Sequence, residues 1–120
     1  MDANRITATG IETVSIPDPD ASEHVTELQK AIGCHWFDVI RCDQGIDLWV
    51  DDEGMVNGSD FNRSATLVAN LLGYPRPVFG NAVALASNEN TGESLPLSAE
   101  QEATLRGILD VSAATGTDAR

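Results

Sequence analysis

The chain has 120 residues, 42% of them hydrophobic, which suits one compact domain and argues against wholesale disorder. Nineteen acidic residues face seven basic ones, for a formal net charge of -12 at pH 7. With one lysine, Lys30, and six arginines scattered singly, the chain lacks the clustered cations that neutralise phosphates, so neither direct nucleic-acid binding nor docking on an anionic membrane is expected.

Met1–Gly10 is polar, with an early Asp2 and no apolar stretch of the signal-peptide kind, so residues 1–10 are expected to be a flexible N-terminus. No later run is long and apolar enough for a membrane span, which makes the cytoplasm the expected location. Ile11–Ile16 alternates apolar and polar residues and predicts a half-buried strand, ended by Pro17-Asp18-Pro19-Asp20. Asp20 and Glu23 form a capping pair for a helix carrying Val25, Leu28, Ala31 and Ile32 on one stripe, with Gly33 as its left-handed stop. Two β-rich runs follow, Trp36–Cys42 and Ile46–Val50, joined by the hairpin turn Asp43-Gln44-Gly45. Asp51-Asp52-Glu53-Gly54 is a second tight turn in which Gly54 can take positive φ, and Met55 and Val56 suggest a short return strand.

After the loop Asn57–Asp60, either Asp60 or Asn62 caps a helix to about Leu72, with Phe61, Ala65, Val68 and Leu72 on its stripe. Gly73–Pro77 breaks that helix, Val78–Ala86 predicts a further strand, and Ser87–Gly92 is a polar turn. Ser98-Ala99-Glu100-Gln101 is a capping box opening a C-terminal helix that aligns Leu105, Ile108, Leu109 and Ser112. Residues 115–120 are expected to form a disordered tail, leaving 11–114 as the domain. The element order β-α-β-β-α-β plus a C-terminal helix predicts an α+β fold of ferredoxin-like order, an antiparallel sheet with two helices on one face. Short extra strands after Gly54 or near Leu95 would turn it into a different α+β meander.

Chemistry-bearing patterns are sparse. Cys34, Cys42, His24 and His35 match no zinc spacing, and the acidic turn from Asp51 fails the calcium-loop pattern, with Met55 at its fifth position and Asp60 at its tenth. No nucleophile elbow or phosphate-binding glycine loop is present, so no catalytic residue, metal or cofactor is assigned. The feature that suggests function is a hairpin face. If Phe37, Val39, Ile46, Leu48 and Val50 face the helices, then Trp36, Asp38, Ile40, Asp47, Trp49 and Asp51 share the opposite side. Trp36, Asp38, Asp47, Trp49 and Asp51 are the expected partner-binding residues, an apolar patch ringed by carboxylates. The alternative is that the C-terminal helix lies across this face and hides both tryptophans.

Three blocks carry a family resemblance. They are Leu28-Gln29 with Ile32-Gly33 and the strand to Arg41; Asp52-Glu53-Gly54 with Asn62 and Ala65-Thr66; and Val78–Val83 with its Gly80-Asn81-Ala82-Val83 end. Together they resemble domain of unknown function 3846, although Cys34 stands where a second glycine is expected. The resemblance implies a small phage- or plasmid-associated protein acting inside a bacterial cell, and supplies no catalytic residues. The expectation is an acidic, non-enzymatic interaction protein that binds a host protein, as an accessory or anti-defence factor of which an anti-restriction DNA mimic is one form. Two further readings stand beside it: a small-ligand or nucleotide-binding domain, enzymes included, with a pocket between the sheet and the loop Asn57–Asn62, and a homodimer that buries the tryptophan face.

Overall fold

The computed structural model describes residues 1–8, 10–54, 58–88 and 90–118, with 111–118 as backbone alone. Its strands are β1 (Asp2–Thr7), β2 (Gly10–Ser15), β3 (Phe37–Arg41), β4 (Ile46–Asp51), β5 (Ala82–Ser87) and β6 (Ser94–Leu95); its α-helices are α1 (His24–Ile32), α2 (Arg63–Leu71) and α3 (Ala99–Asp118). The predicted run is present as β2-α1-β3-β4-α2-β5. One further strand precedes it, and β6 and α3 follow. The fold is α+β, with one antiparallel sheet ordered β2-β1-β5-β4-β3 and β6 paired to β5 at Ala86 and Ser87.

The N-terminus departs most from expectation. Instead of a flexible segment, Asp2–Thr7 is an interior strand, paired along its length with β2 and at Asn4–Ile6 with β5. Its main chain is therefore satisfied on both sides, and Ala3 and Ile6 are buried. The segment reads as polar because its burial rests on sheet pairing rather than on a run of large apolar residues. The insertion of β1 also alters the spatial order. The strands joined by α1 are the two edges of the sheet, with three strands between them, rather than a pair split by one strand as in the ferredoxin-like arrangement.

Helices cover both faces. On one, Leu28, Ala31 and Ile32 of α1 pack with Ala3, Ile16, Val83 and Leu85. On the other, Ala65, Val68 and Ala69 of α2, with Leu72 just beyond it, and Leu105 of α3 pack on Ile6, Ile46, Leu48, Ala82 and Ala84. The expectation of α1 and α2 on one face is thus corrected, since α2 shares its face with α3. β5 sits between the two cores and is buried along almost its whole length, which is why it reads as a continuous apolar run. Each fully buried Leu, Ile or Val contributes about 1.5–3 kcal/mol, so these two clusters dominate stability.

Local signals behave more predictably. Gly33 ends α1 at φ 81°, the Ser98–Gln101 capping box forms both reciprocal bonds, and the β3–β4 turn places Gln44 and Gly45 at φ 63° and 72°. Asp20 does not cap α1, which begins at His24 with Glu23 preceding it. Val25 is half exposed, and His24 is buried, its Nδ1 lying 2.9 Å from the Pro17 carbonyl. The α3 backbone continues through Asp118, past the boundary expected at Thr115. The suggested strand at Met55–Val56 lies outside the described residues.

Candidate functional site

The β3–β4 hairpin decides which side chains can act together. Register pairs Asp38 with Val50, Ile40 with Leu48, Phe37 with Asp51, Val39 with Trp49 and Arg41 with Asp47. Directly paired residues share a face, so Asp38 and Ile40 lie with the Leu48 core, whereas Phe37, Val39 and Arg41 lie with Asp47, Trp49 and Asp51. The predicted alternation holds for β4 and is shifted by one residue for β3. β3 misleads because its apolar residues fall on both faces, Phe37 against one core and Ile40 in the other.

The five expected partner-binding residues therefore do not form one patch. Asp47 is 3% exposed, and its carboxylate accepts a hydrogen bond from Arg41 Nη1 at 2.9 Å. Trp49 packs against the α1 core and meets Phe37 edge-to-face at 5.3 Å between ring centroids. The helix that covers this tryptophan is α1, and α3 lies on the other side of the sheet. Trp36, just before β3, is 68% exposed. Asp38 is exposed on the outer edge of β3, where its Oδ1 accepts from the Val39 N–H at 2.8 Å. Asp51 ends β4 at the start of the turn, its Oδ1 accepting from the Glu53 N–H at 2.9 Å.

Two of the five, Asp38 and Asp51, line one cleft at the open end of the hairpin, and Trp36 is joined to the neighbouring turn through its main chain. The Asp52 N–H donates to the Trp36 carbonyl at 3.0 Å, tying the exposed tryptophan to the acidic turn. Beside the turn opens a cleft of about 160 Å³ whose lining brings Asp38, Asp51 and Asp52 of the hairpin end together with Ile40, Val50 and Gly54 and with a wall from the loop after α2, Tyr74 and Pro77–Phe79. By register the Asp51 side chain itself belongs to the α1 face, with Phe37 and Trp49. That wall was not foreseen, because Gly73–Pro77 reads only as a helix breaker. The available signal was Tyr74 and Phe79 flanking the prolines. The wall is fixed by α2: Thr66 Oγ1 accepts from the Val78 N–H at 2.8 Å, and the Asn62 N–H donates to the Val78 carbonyl at 2.9 Å.

Gly54 has a role other than the expected positive φ. It is absent from the left-handed positions, and a Cβ there would lie 2.7 Å from the Phe79 carbonyl oxygen. The acidic turn and the aromatic wall touch at this residue because it has no side chain. The cysteines are poor nucleophiles: burial first, then Asp51 beside Cys34 and Asp47 and Asp43 beside Cys42, pushes each thiol up to about 11. They pack against different cores.

The arrangement defines an acidic α+β domain with a carboxylate-lined, aromatic-walled cleft at one end of its sheet. The chain belongs to the family described as Domain of unknown function (DUF3846), whose model matches residues 6–110. No curated protein and no solved structure matches it. Most of the positions that carried the resemblance have structural work: Leu28 and Ala65 are core, Gly33 and Gly80 are left-handed, Gly54 permits close approach, and Asn62 and Thr66 hold loops.

Proposed function

We propose that the protein is an acidic interaction module that receives a basic segment of a partner protein at the hairpin cleft. The observation that carries this reading is the meeting of the acidic hairpin end, Asp38 and Asp52, with Tyr74 and Pro77–Phe79 in one cleft, next to a turn whose Asp52 N–H is bonded to the carbonyl of exposed Trp36. A lysine or arginine side chain complements such a site: its stem packs on the apolar floor, its charge meets carboxylates, and a guanidinium stacks on aromatic rings. In a cell, the role that fits is an accessory factor of a phage or plasmid acting on a host protein with a basic surface, including a nucleic-acid-handling one. No catalytic step is assigned.

A titration with an Arg/Lys-rich peptide, followed by tryptophan emission, tests the reading. Binding should alter the emission of exposed Trp36, weaken as salt is added, and fall several-fold with Asp52→Asn. Salt-independent binding, or no response to any basic peptide, overturns it. A melting screen against nucleotides and metals separates the small-ligand reading, since a ligand of the folded state raises Tm.

A further inference from the structure

The two edges of the sheet are unlike. β3 forms one edge and β2 the other, each with a single neighbour among the described strands. On β3, main-chain bonds from Cys42 to Ile46 and from Asp52 to Trp36 fix the ladder, so Phe37, Val39 and Arg41 present their N–H and C=O groups outward. The Val39 N–H is already occupied by the Asp38 carboxylate, a charged residue that blunts the edge. The corresponding bonds between Met1 and Ile16 set the β1–β2 ladder, which leaves Ile11, Thr13 and Ser15 with their main-chain groups facing out. No proline or bulge interrupts β2, and its charged residue, Glu12, is neutralised by Arg5 on β1.

Charge points the same way. The β3–β4 hairpin together with the Asp51–Gly54 turn that follows it carries six carboxylates against Arg41, whereas β1 and β2 carry Asp2 and Glu12 against Arg5. Two copies of a chain with formal net charge -12 repel least where they meet through the nearly neutral edge.

We propose that the outer edge of β2 pairs antiparallel with the same edge of a second copy, about a two-fold axis at Thr13, joining two sheets into one. In this register Thr13 faces Thr13 of the second copy, Ile11 faces Ser15, and Glu12 faces Val14, so no carboxylate opposes itself. The outward groups of Ile11, Thr13 and Ser15 then form about six main-chain hydrogen bonds, as antiparallel geometry requires. The self-complementary register is the reason the occupant is a second copy. The two acidic clefts would lie at the far ends of the joined sheet, giving a bivalent molecule.

Sedimentation equilibrium of the full chain over a wide concentration range tests this. The mass should rise from one chain toward two, and added salt should favour the dimer by screening repulsion, opposite in sign to the salt effect at the cleft. Thr13→Pro removes only an outward N–H and should hold the protein monomeric. Thr13→Lys places like charges opposite one another and should raise the dimer dissociation constant at least about fivefold. Val39→Pro, on the blunted edge, should leave the association unchanged. Circular dichroism checks that each variant is folded. A wild-type chain that stays monomeric at every concentration, or an association that Thr13→Lys does not weaken, overturns the proposal, whatever the outcome at the cleft.

Discussion

Asn62 is 1% exposed and makes three side-chain hydrogen bonds: Nδ2 donates to the Ile6 and Gly80 carbonyls, each at 2.9 Å, and Oδ1 accepts from the Ala65 N–H at 2.9 Å. It caps α2 and ties that helix to β1 and to the strand-entry loop. Asn62→Asp, which an isolated helix would accept as a cap, should destabilise the protein by about 2–4 kcal/mol in urea unfolding, because the carboxylate faces two carbonyl oxygens with no proton to offer. Trp49 presents the opposite case. Its indole Nε1 is buried without an acceptor among the described residues. Trp49→Phe removes that orphan donor but loses packing, and the opposing terms leave stability within about 1 kcal/mol of wild type. Trp49→Asp should instead cost more than about 3 kcal/mol by burying a carboxylate under α1, and so report on folding rather than on association. The raised thiols give a pH signature. Folding holds Cys34 and Cys42 protonated, so their contribution is whole below pH 9.0 and is lost as pH rises through about 11. The fall in Tm over that window should be shallower in Cys34→Ala/Cys42→Ala, measured by thermal melts.

At the scale of elements, periodicity was legible along the middle of elements with one buried face and failed at helix starts, where Val25 and Phe61 of the predicted stripes are half exposed. Of the stripe Phe61, Ala65, Val68 and Leu72 the last three are buried and Phe61 is exposed, and the β4 set Ile46, Leu48 and Val50 is buried as its spacing predicts. Periodicity also failed on β3, where each face of a short edge strand has its own core. The capping box of α3 has a second use, since Gln101 Nε2 donates to the Gln44 carbonyl at 2.9 Å and anchors the β3–β4 turn to the helix. Gln101→Ala should therefore cost about 1–2 kcal/mol, counting both the lost cap and the lost tether, by chemical denaturation. A Ser98→Ala change, which removes only a capping oxygen, should cost about 1 kcal/mol.

For the whole molecule, the central place of β1 has the largest consequence. Deleting residues 1–7, harmless if they were a loose end, removes an interior strand and opens the sheet between β2 and β5. The truncated chain should fail to fold, read as loss of near-ultraviolet circular dichroism and of a cooperative melt. The candidate site belongs to this scale too. Its acidic half comes from the hairpin end and its aromatic half from the loop after α2, distant in sequence and brought together by Gly54 against Phe79.

The chain's own residues determined the class of fold, most element positions, the capped start of α3, the αL stop at Gly33 and the acidic hairpin turn, because each rests on short-range sterics, spacing or hydrogen bonding. Tertiary structure alone decided that the polar N-terminus is a core strand, that α1 and not α3 covers Trp49, and that Asp47 is spent on Arg41 while Trp36 stays outside. Those outcomes depend on which strands become neighbours, and pairing between distant segments is carried by main-chain groups that every residue shares.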